Sequence, residues 1–309
     1  MFLFTEDKTI QHEKIVLKIP TINDHPCHFQ DLFKLWGNAN KYSADVEFEF
    51  SNCSFLRPNA VAFLGGLARL IESRGGRTIF KWDTIGERIL TNLKQCGFAH
   101  SFGDKRDHWE GNSIPYREDK NKSEDEFANY LSNLWLGRGW VHVSEKLKDE
   151  IVGRMIEIYI NAFEHAESNI GVFTCGQHFP KVQTLLLSVI DFGIGISANV
   201  RRFSKQQKHL LSEHLPASSC LKWAFQRGTT TKPNGTGRGL GLDLLKEFVQ
   251  KNHGKLEVYS HEGYACIDHK HEVYKEIEKY FEGTIFHITL KCDEKIYFLA
   301  EEKLNIPKF

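Results

Sequence analysis

The sequence predicts an α/β protein built in two units, and three observations carry that prediction. Strand-like and helix-like periodicities alternate through the first hundred residues; a stretch nearly free of aliphatic side chains interrupts them from Gly103 to about Glu126; apolar periodicity then returns and lasts to about Leu299. A βαβα alternation places helices against a sheet. The expected partition is 1–105 for the first unit, 106–135 for a linker or irregular segment, and 136–309 for the second unit.

In chain order, "KIVLKI" (14–19) is a short β-branched run, and "VEFEF" (46–50) sets Val46, Phe48 and Phe50 inward against Glu47 and Glu49 outward, a period of two. Both predict strands. "PNAVAFLGGLARLIESRGG" then opens with a proline suited to a first helical turn, continues with apolar residues at helical spacing, and stops at Gly75-Gly76. "RTIFKW" (77–82) predicts another strand, and "TIGERILTNLKQCGF" a helix with Thr84 as its N-cap.

Composition limits the function classes. Of 309 residues, 41% are hydrophobic and 26% charged, which is globular rather than disordered. Forty basic residues balance forty acidic ones, so charge gives no case for nucleic acid or a membrane surface as partner. The seven cysteines are scattered, with no C-x-x-C pair and no amino-terminal apolar h-region before them. No apolar run approaches the roughly 20 residues that span a bilayer. Free thiols in a soluble, cytoplasmic protein are the expectation.

Chemistry concentrates in the second unit. Ser144 can cap a helix through "SEKLKDEIVGRMIEIYINAFEHA", on which Arg154, Glu157, Asn161 and Glu164 recur at spacings of three, four and three along one face. Apolar residues fill the rest, so the stripe is narrow and the helix should be covered on both flanks. A carboxylate one turn before a carboxamide suits metal and water chemistry: the amide oxygen is a hard ligand for Mg2+, and the carboxylate can take a proton from water. An ordinary solvated stripe is the alternative.

Two further motifs follow. "TLLLSVIDFGIGI" is a continuous apolar strand running into Asp191-Phe192-Gly193-Ile194-Gly195, where a carboxylate can accept from an amine and glycines let a ring approach the backbone. In "RGTTTKPNGTGRGLGLDLLKEFVQKNHG", Gly235, Gly237, Gly239 and Gly241 alternate just before an amphipathic helix that ends at Gly254. Backbone N–H groups exposed at such a helix start bind phosphate. Neither the dinucleotide fingerprint nor G-x-x-x-x-G-K-[ST] is present, and no G-x-S-x-G marks a nucleophile. His261, His269 and His271, near Glu262 and Glu272, lack metal-site spacing and read as surface histidines.

E-x-x-x-N, D-x-G-x-G and G-x-G-x-G-L-G-L, in this order, resemble the GHKL superfamily of gyrase, Hsp90, histidine-kinase and MutL ATPases over roughly the last 170 residues. The resemblance also takes in "GKLEVYS" (254–260) as the strand after the third motif and "GTIFHITL" (283–290) as the closing strand. It implies helices on one face of a mixed sheet, a mobile lid from about Asn199 to Lys232, and bound ATP with Mg2+. It assigns Glu157 to polarising the attacking water and Asn161 to Mg2+. Asp191 would hold the adenine amine, Gly193 and Gly195 the base pocket, and Thr284 the adenine through a water. Gly235, Thr236, Gly237, Arg238, Gly239, Leu240 and Gly241 would hold the phosphates. Arg227, Lys232 and Arg238 are candidate phosphate contacts, with solvated lid charges as the alternative. Such ATPases dimerise as the lid closes, which makes a homodimer an expectation.

The amino-terminal "VEFEFSNCSFLRPNAVAFLGGLARLIESRGGRTIFKW", with "GERILTNLKQCGFAHSF", resembles the STAS domain of anti-sigma-factor antagonists, in looser fashion and over about ninety residues. A protein partner through this unit is implied. Phosphorylation-regulated members carry D-S where this chain has Arg57-Pro58, so that switch is expected to be lost; Ser54, the nearest hydroxyl, is expected to be a strand residue. The leading functional reading is a switch protein with Mg-dependent ATP hydrolysis coupled to a STAS-like unit. An anti-sigma-factor-like serine/threonine protein kinase and a non-catalytic nucleotide-sensing module are the alternatives.

Overall fold

A computed structural model describes residues 13–41, 43–104, 111–164, 166–206, 214–226 and 241–302. The first unit alternates β1 (Glu13–Lys18), α1 (Pro26–Ala39), β2 (Ala44–Glu49), α2 (Pro58–Ser73), β3 (Thr78–Phe80), α3 (Glu87–Gln95) and α4 (Phe98–Ser101). Strands β1, β2 and β3 pair in parallel in that order, with Val46 opposite both Ile15 and Thr78. Each parallel pair needs a helical crossover, and α1 and α2 supply them. Helix α1, not anticipated from the sequence, starts at His25, whose ring nitrogen accepts from the Cys27 N–H, and continues with Pro26 in its first turn. Its buried stripe is Phe29, Leu32, Phe33 and Trp36, at helical spacing. Helix α2 begins at Pro58 as anticipated, and Gly75 follows its end with φ of 84°.

The remaining elements are β4 (Ser113–Asp119), α5 (Glu124–Asn129), β5 (His142–Val143), α6 (Glu145–Glu164), β6 (Val172–Phe179), β7 (Thr184–Asp191), α7 (Gly195–Gln206), α8 (Ala217–Ala224), α9 (Gly241–Lys251), β8 (Lys255–Ser260), β9 (Gly263–Asp268), β10 (Glu272–Glu276), β11 (Thr284–Lys291) and β12 (Ile296–Tyr297). A seven-stranded antiparallel sheet runs β10-β9-β8-β11-β7-β6-β4. Its two faces separate by alternation along the strands. Leu185, Leu187 and Val189 of β7 and Phe286, Ile288 and Leu290 of β11 join a core with α6 and α9. Phe173, Ile190, Tyr259 and Ile285 face the other way, into a core shared with α1 and α2.

Helix α2 therefore lies between two sheets, which explains why "PNAVAFLGGLA" is buried all round. Aromatic rings form the seam: Phe29 stacks on Tyr259 at 4.3 Å, Phe33 on Phe281 at 5.2 Å, and Phe63 lies 5.3 Å from Phe192. Gly65 and Gly66 make the close approach possible. A Cβ on Gly66 would lie 2.1 Å from the Phe192 ring and 2.8 Å from Phe173. Gly66→Val should therefore lower the melting temperature by several degrees, since overpacking typically costs ~1–3 kcal/mol. An unchanged thermal unfolding midpoint, followed by circular dichroism, would refute this packing.

Three expectations need correction. The stretch expected to be a linker or irregular over 106–135 contains β4 and α5, and a π-type turn over Tyr130–Trp135. Some of its charges are paired rather than solvated: Arg117 Nε is 2.7 Å from Asp119 Oδ2, and Glu118 binds Arg69 of α2 at 2.8 Å. Ile114, Phe127, Leu131 and Trp135 are meanwhile buried. As the edge strand, β4 tolerates Pro115, where its register with β6 shifts. Thr84 is not a helix N-cap; its hydroxyl donates to the Lys81 carbonyl and accepts from the Phe50 N–H at 3.0 Å, and Gly86 precedes α3. Ser54 is not a strand residue but exposed on the bend before α2, with its Oγ 2.8 Å from Thr21 Oγ1. Among the described residues, no helix is long and apolar enough to cross a membrane.

Candidate functional site

Helix α6 forms as anticipated, with the Leu147 N–H donating to the Ser144 hydroxyl at 3.2 Å. Leu147, Ile151, Met155, Ile158 and Ala162 bury the face toward the sheet. Along the polar stripe, Arg154 pairs with Glu150 at 3.0 Å and Glu164 with Lys122 at 3.1 Å. Between them lie Glu157, half-buried, and Asn161, exposed. These two carry no side-chain hydrogen bond or ion pair among the described residues. The ends of the stripe thus serve the structure, while its centre keeps a carboxylate and a carboxamide free for a ligand.

The second motif meets the first through the backbone. Just past α6, the Ala166 carbonyl accepts from the Ile194 N–H at 2.6 Å. A Cβ on Gly193 would lie 1.9 Å from that same carbonyl oxygen, so glycine is the residue that lets the two turns touch. Gly195, with φ of 74°, opens α7 in a backbone region that side chains disfavour. Ser260 Oγ accepts from the Ile196 N–H at 2.9 Å, and the His261 ring lies 2.7 Å from the Ile194 carbonyl. Neither Ser260 nor His261 was singled out as a site residue. His261, expected at the surface, is 7% exposed; its φ of 56° turns the chain after β8 and drives the ring under the D-F-G-I-G turn.

Asp191 ends β7 directly opposite Thr284, the first residue of β11. By alternation with Leu187 and Val189, and with Phe286 and Ile288, both side chains belong to the α6 face. Asp191 is 6% exposed, and burial pushes its carboxyl up to about 7, against hydrogen bonds from the Gly193 N–H at 3.0 Å and from Thr284 that favour the charged form. Phe192 flips to the opposite face and packs on α2. A buried acceptor suits a ligand's amine, while the side-chain-free faces of Gly193 and Gly195 are taken up by the Ala166 carbonyl and by Ser260 and Gly283. The free oxygens of Glu157 and Asn161 fit a hard cation and a water.

Of the third motif, Gly241 opens α9, whose Leu245, Phe248 and Val249 are buried against the sheet. Arg227, Lys232, Gly235, Thr236, Gly237, Arg238, Gly239 and Leu240 lie outside the described residues. Within the expected lid, α7 and α8 are described, joined by Phe203 against Trp223 at 5.6 Å. The strand "GTIFHITL", expected to close the sheet, lies inside it between β8 and β7.

Helices α6 and α9 thus cover one face of the antiparallel sheet, and the β7 strand end that carries Asp191 leads into a turn bonded to the end of the E-x-x-x-N helix. Residues 149–294 match the family model described as histidine kinase-, DNA gyrase B- and HSP90-like ATPase. The chain therefore carries a GHKL-type ATPase domain there, which supports ATP binding. No curated protein matches the chain.

Proposed function

We propose that this protein is an ATP-driven switch: the domain over 149–294 binds Mg-ATP and hydrolyses it, and the amino-terminal 105 residues act as a STAS-like regulatory or interaction unit in the cytoplasm. The family match carries the reading, and the hydrogen-bonded meeting of the α6 and β7 turns supports it. Asp191, with Thr284 beside it, accepts the adenine amine; Gly193 and Gly195 supply backbone to the base pocket, their missing side chains letting the Ala166 carbonyl and Ser260 pack against the turn. Asn161 would hold Mg2+, which when bound neutralises charge on the phosphates. Glu157 takes a proton from the attacking water. The 235–241 segment, with Arg227, Lys232 and Arg238, holds the phosphates.

A protein partner engages the first unit, and lid closure brings two copies together. One observation favours a second reading. Ser54 is exposed on the bend before α2, where a protein hydroxyl could receive phosphate and make the chain a serine/threonine kinase acting in cis.

Incubation with γ-labelled ATP separates the two. Label should appear as free phosphate, with none on residues 51–62 by mass spectrometry, because Arg57-Pro58 offers no hydroxyl at the helix start. Stoichiometric phosphate on Ser54 would establish the kinase instead. Nucleotide binding with no label transferred to either acceptor would leave the sensing module.

A further inference from the structure

A cleft of about 660 Å³ opens where the first unit meets the seven-stranded sheet. The turn before α2 contributes Phe55 and Arg57, α3 contributes Arg88, and the β6–β7 hairpin contributes Phe179 and Lys181. This hairpin is at the far end of β7 from Asp191, about 23 Å along the strand at ~3.3 Å per residue. The cleft is therefore not the adenine pocket.

Its chemistry is cationic and aromatic together. Arg57, Arg88 and Lys181 line it against Glu87 as the carboxylate among the described lining residues. Neither Arg88 nor Lys181 has an ion-pair partner among the described residues. The Arg57 guanidinium lies 3.8 Å from the Phe179 ring centroid and 5.3 Å from that of Phe55, and Arg88 lies 5.9 Å from Phe55. Asp24 sits 3.1 Å from Arg57 Nε, yet Nε and Nη1 are buried without a directed hydrogen bond. Both phenylalanines are half-buried, and Val182 on the rim is 54% exposed.

We propose that this cleft is a second ligand site, for a small organic phosphate whose flat ring lies against Phe55 and Phe179 and whose phosphate meets Arg57, Arg88 and Lys181. Arginine forks match phosphate oxygens. Small-molecule sites commonly occupy such volumes, roughly 300–1,000 Å³, and favour seams between structural units. The amides of Asn92 and Gln177 on the walls offer donors and acceptors to the ring's edge.

Calorimetric titration of the full chain with phenyl phosphate, with and without excess adenosine, tests this. Saturable one-to-one binding is expected, unaffected by adenosine, which lacks the phosphate, and at least about tenfold weaker in Arg88→Glu and in Lys181→Glu. Inorganic phosphate and phenol, each carrying half of the recognition, should bind at least about tenfold more weakly than phenyl phosphate. Both substituted positions are exposed, so melting temperatures should match the parent's; Lys181→Met, which keeps the aliphatic stem, repeats the test should a reversed charge disturb folding. Absence of saturable binding, displacement by adenosine, or equal affinity in the charge variants would each overturn the proposal.

Discussion

Replacing Glu157 by Gln should lower phosphate release roughly 10²–10⁴-fold while ATP still binds, because the amide keeps the size and hydrogen-bonding reach of the carboxylate but cannot take a proton from water. The position suits this test. Glu157 is half-buried and carries no side-chain partner among the described residues, so the substitution breaks no ion pair there. Asn161→Ala should differ. It removes the amide oxygen assigned to the cation, so nucleotide affinity and turnover should fall together. A helix merely destabilised by substitution would weaken binding in both variants alike, so the contrast between them carries the information. Phosphate release by Glu157→Gln at the parent's rate, measured beside calorimetric ATP affinity, would reduce Glu157 to a stripe residue and the protein to a nucleotide sensor.

The elements legible in the sequence were those whose pattern is local. Period-two alternation at Val46 and Phe48, helical spacing from Pro58, and the apolar run into Asp191 each found the element they announced. The stripe on α6 was legible as a pattern, but its sorting was not: which members pair depends on Lys122, a residue of another segment. Strand β4 and helix α5 were missed because composition alone does not distinguish charges that pair, such as Arg117 with Asp119, from charges that face water. Helix α1 was passed over although His25-Pro26 and the spacing of Phe29, Phe33 and Trp36 carry a helical signal.

The position of His261 depends on a positive φ at the end of β8 and on a carbonyl nearly seventy residues earlier, which no local pattern encodes. The same holds for Gly66 against Phe192. The seam between α2 and the sheet is long-range packing, and the sequence shows only that both surfaces are apolar. That seam also bears on the site. Phe192, held between α2 and Phe281, directly follows Asp191, so the position of the acceptor is tied to the packing of the first unit.

Asp191→Ala should weaken ATP binding about 10- to 150-fold, the loss of a hydrogen bond to a charged group being worth roughly 1.5–3 kcal/mol. The carboxyl's elevated pKa, about 7, adds a pH signature that a structural defect would not produce. Below that pH the acceptor is largely protonated, and adenine binding must expel the proton. Parent ATP affinity should therefore rise with pH up to about 7 and level off above it, with protons released on binding at the lower pH; both Asp191→Ala and Asp191→Asn should flatten this dependence. Stability runs in the opposite direction. With its folded pKa above the unfolded value of 3.8, Asp191 contributes its full stabilisation below about pH 4 and loses it as pH rises through about 7. At pH 8 the free protein therefore bears the cost of a buried charge. Asp191→Asn removes that charge while keeping the side chain's shape, so at pH 8 its melting temperature without nucleotide should exceed the parent's even as its ATP affinity falls. Calorimetric ATP titrations at pH 6, 7 and 8, paired with thermal unfolding of the free protein, read both effects. An ATP affinity in Asp191→Asn equal to the parent's, with the same pH dependence, would remove Asp191 from the nucleotide pocket.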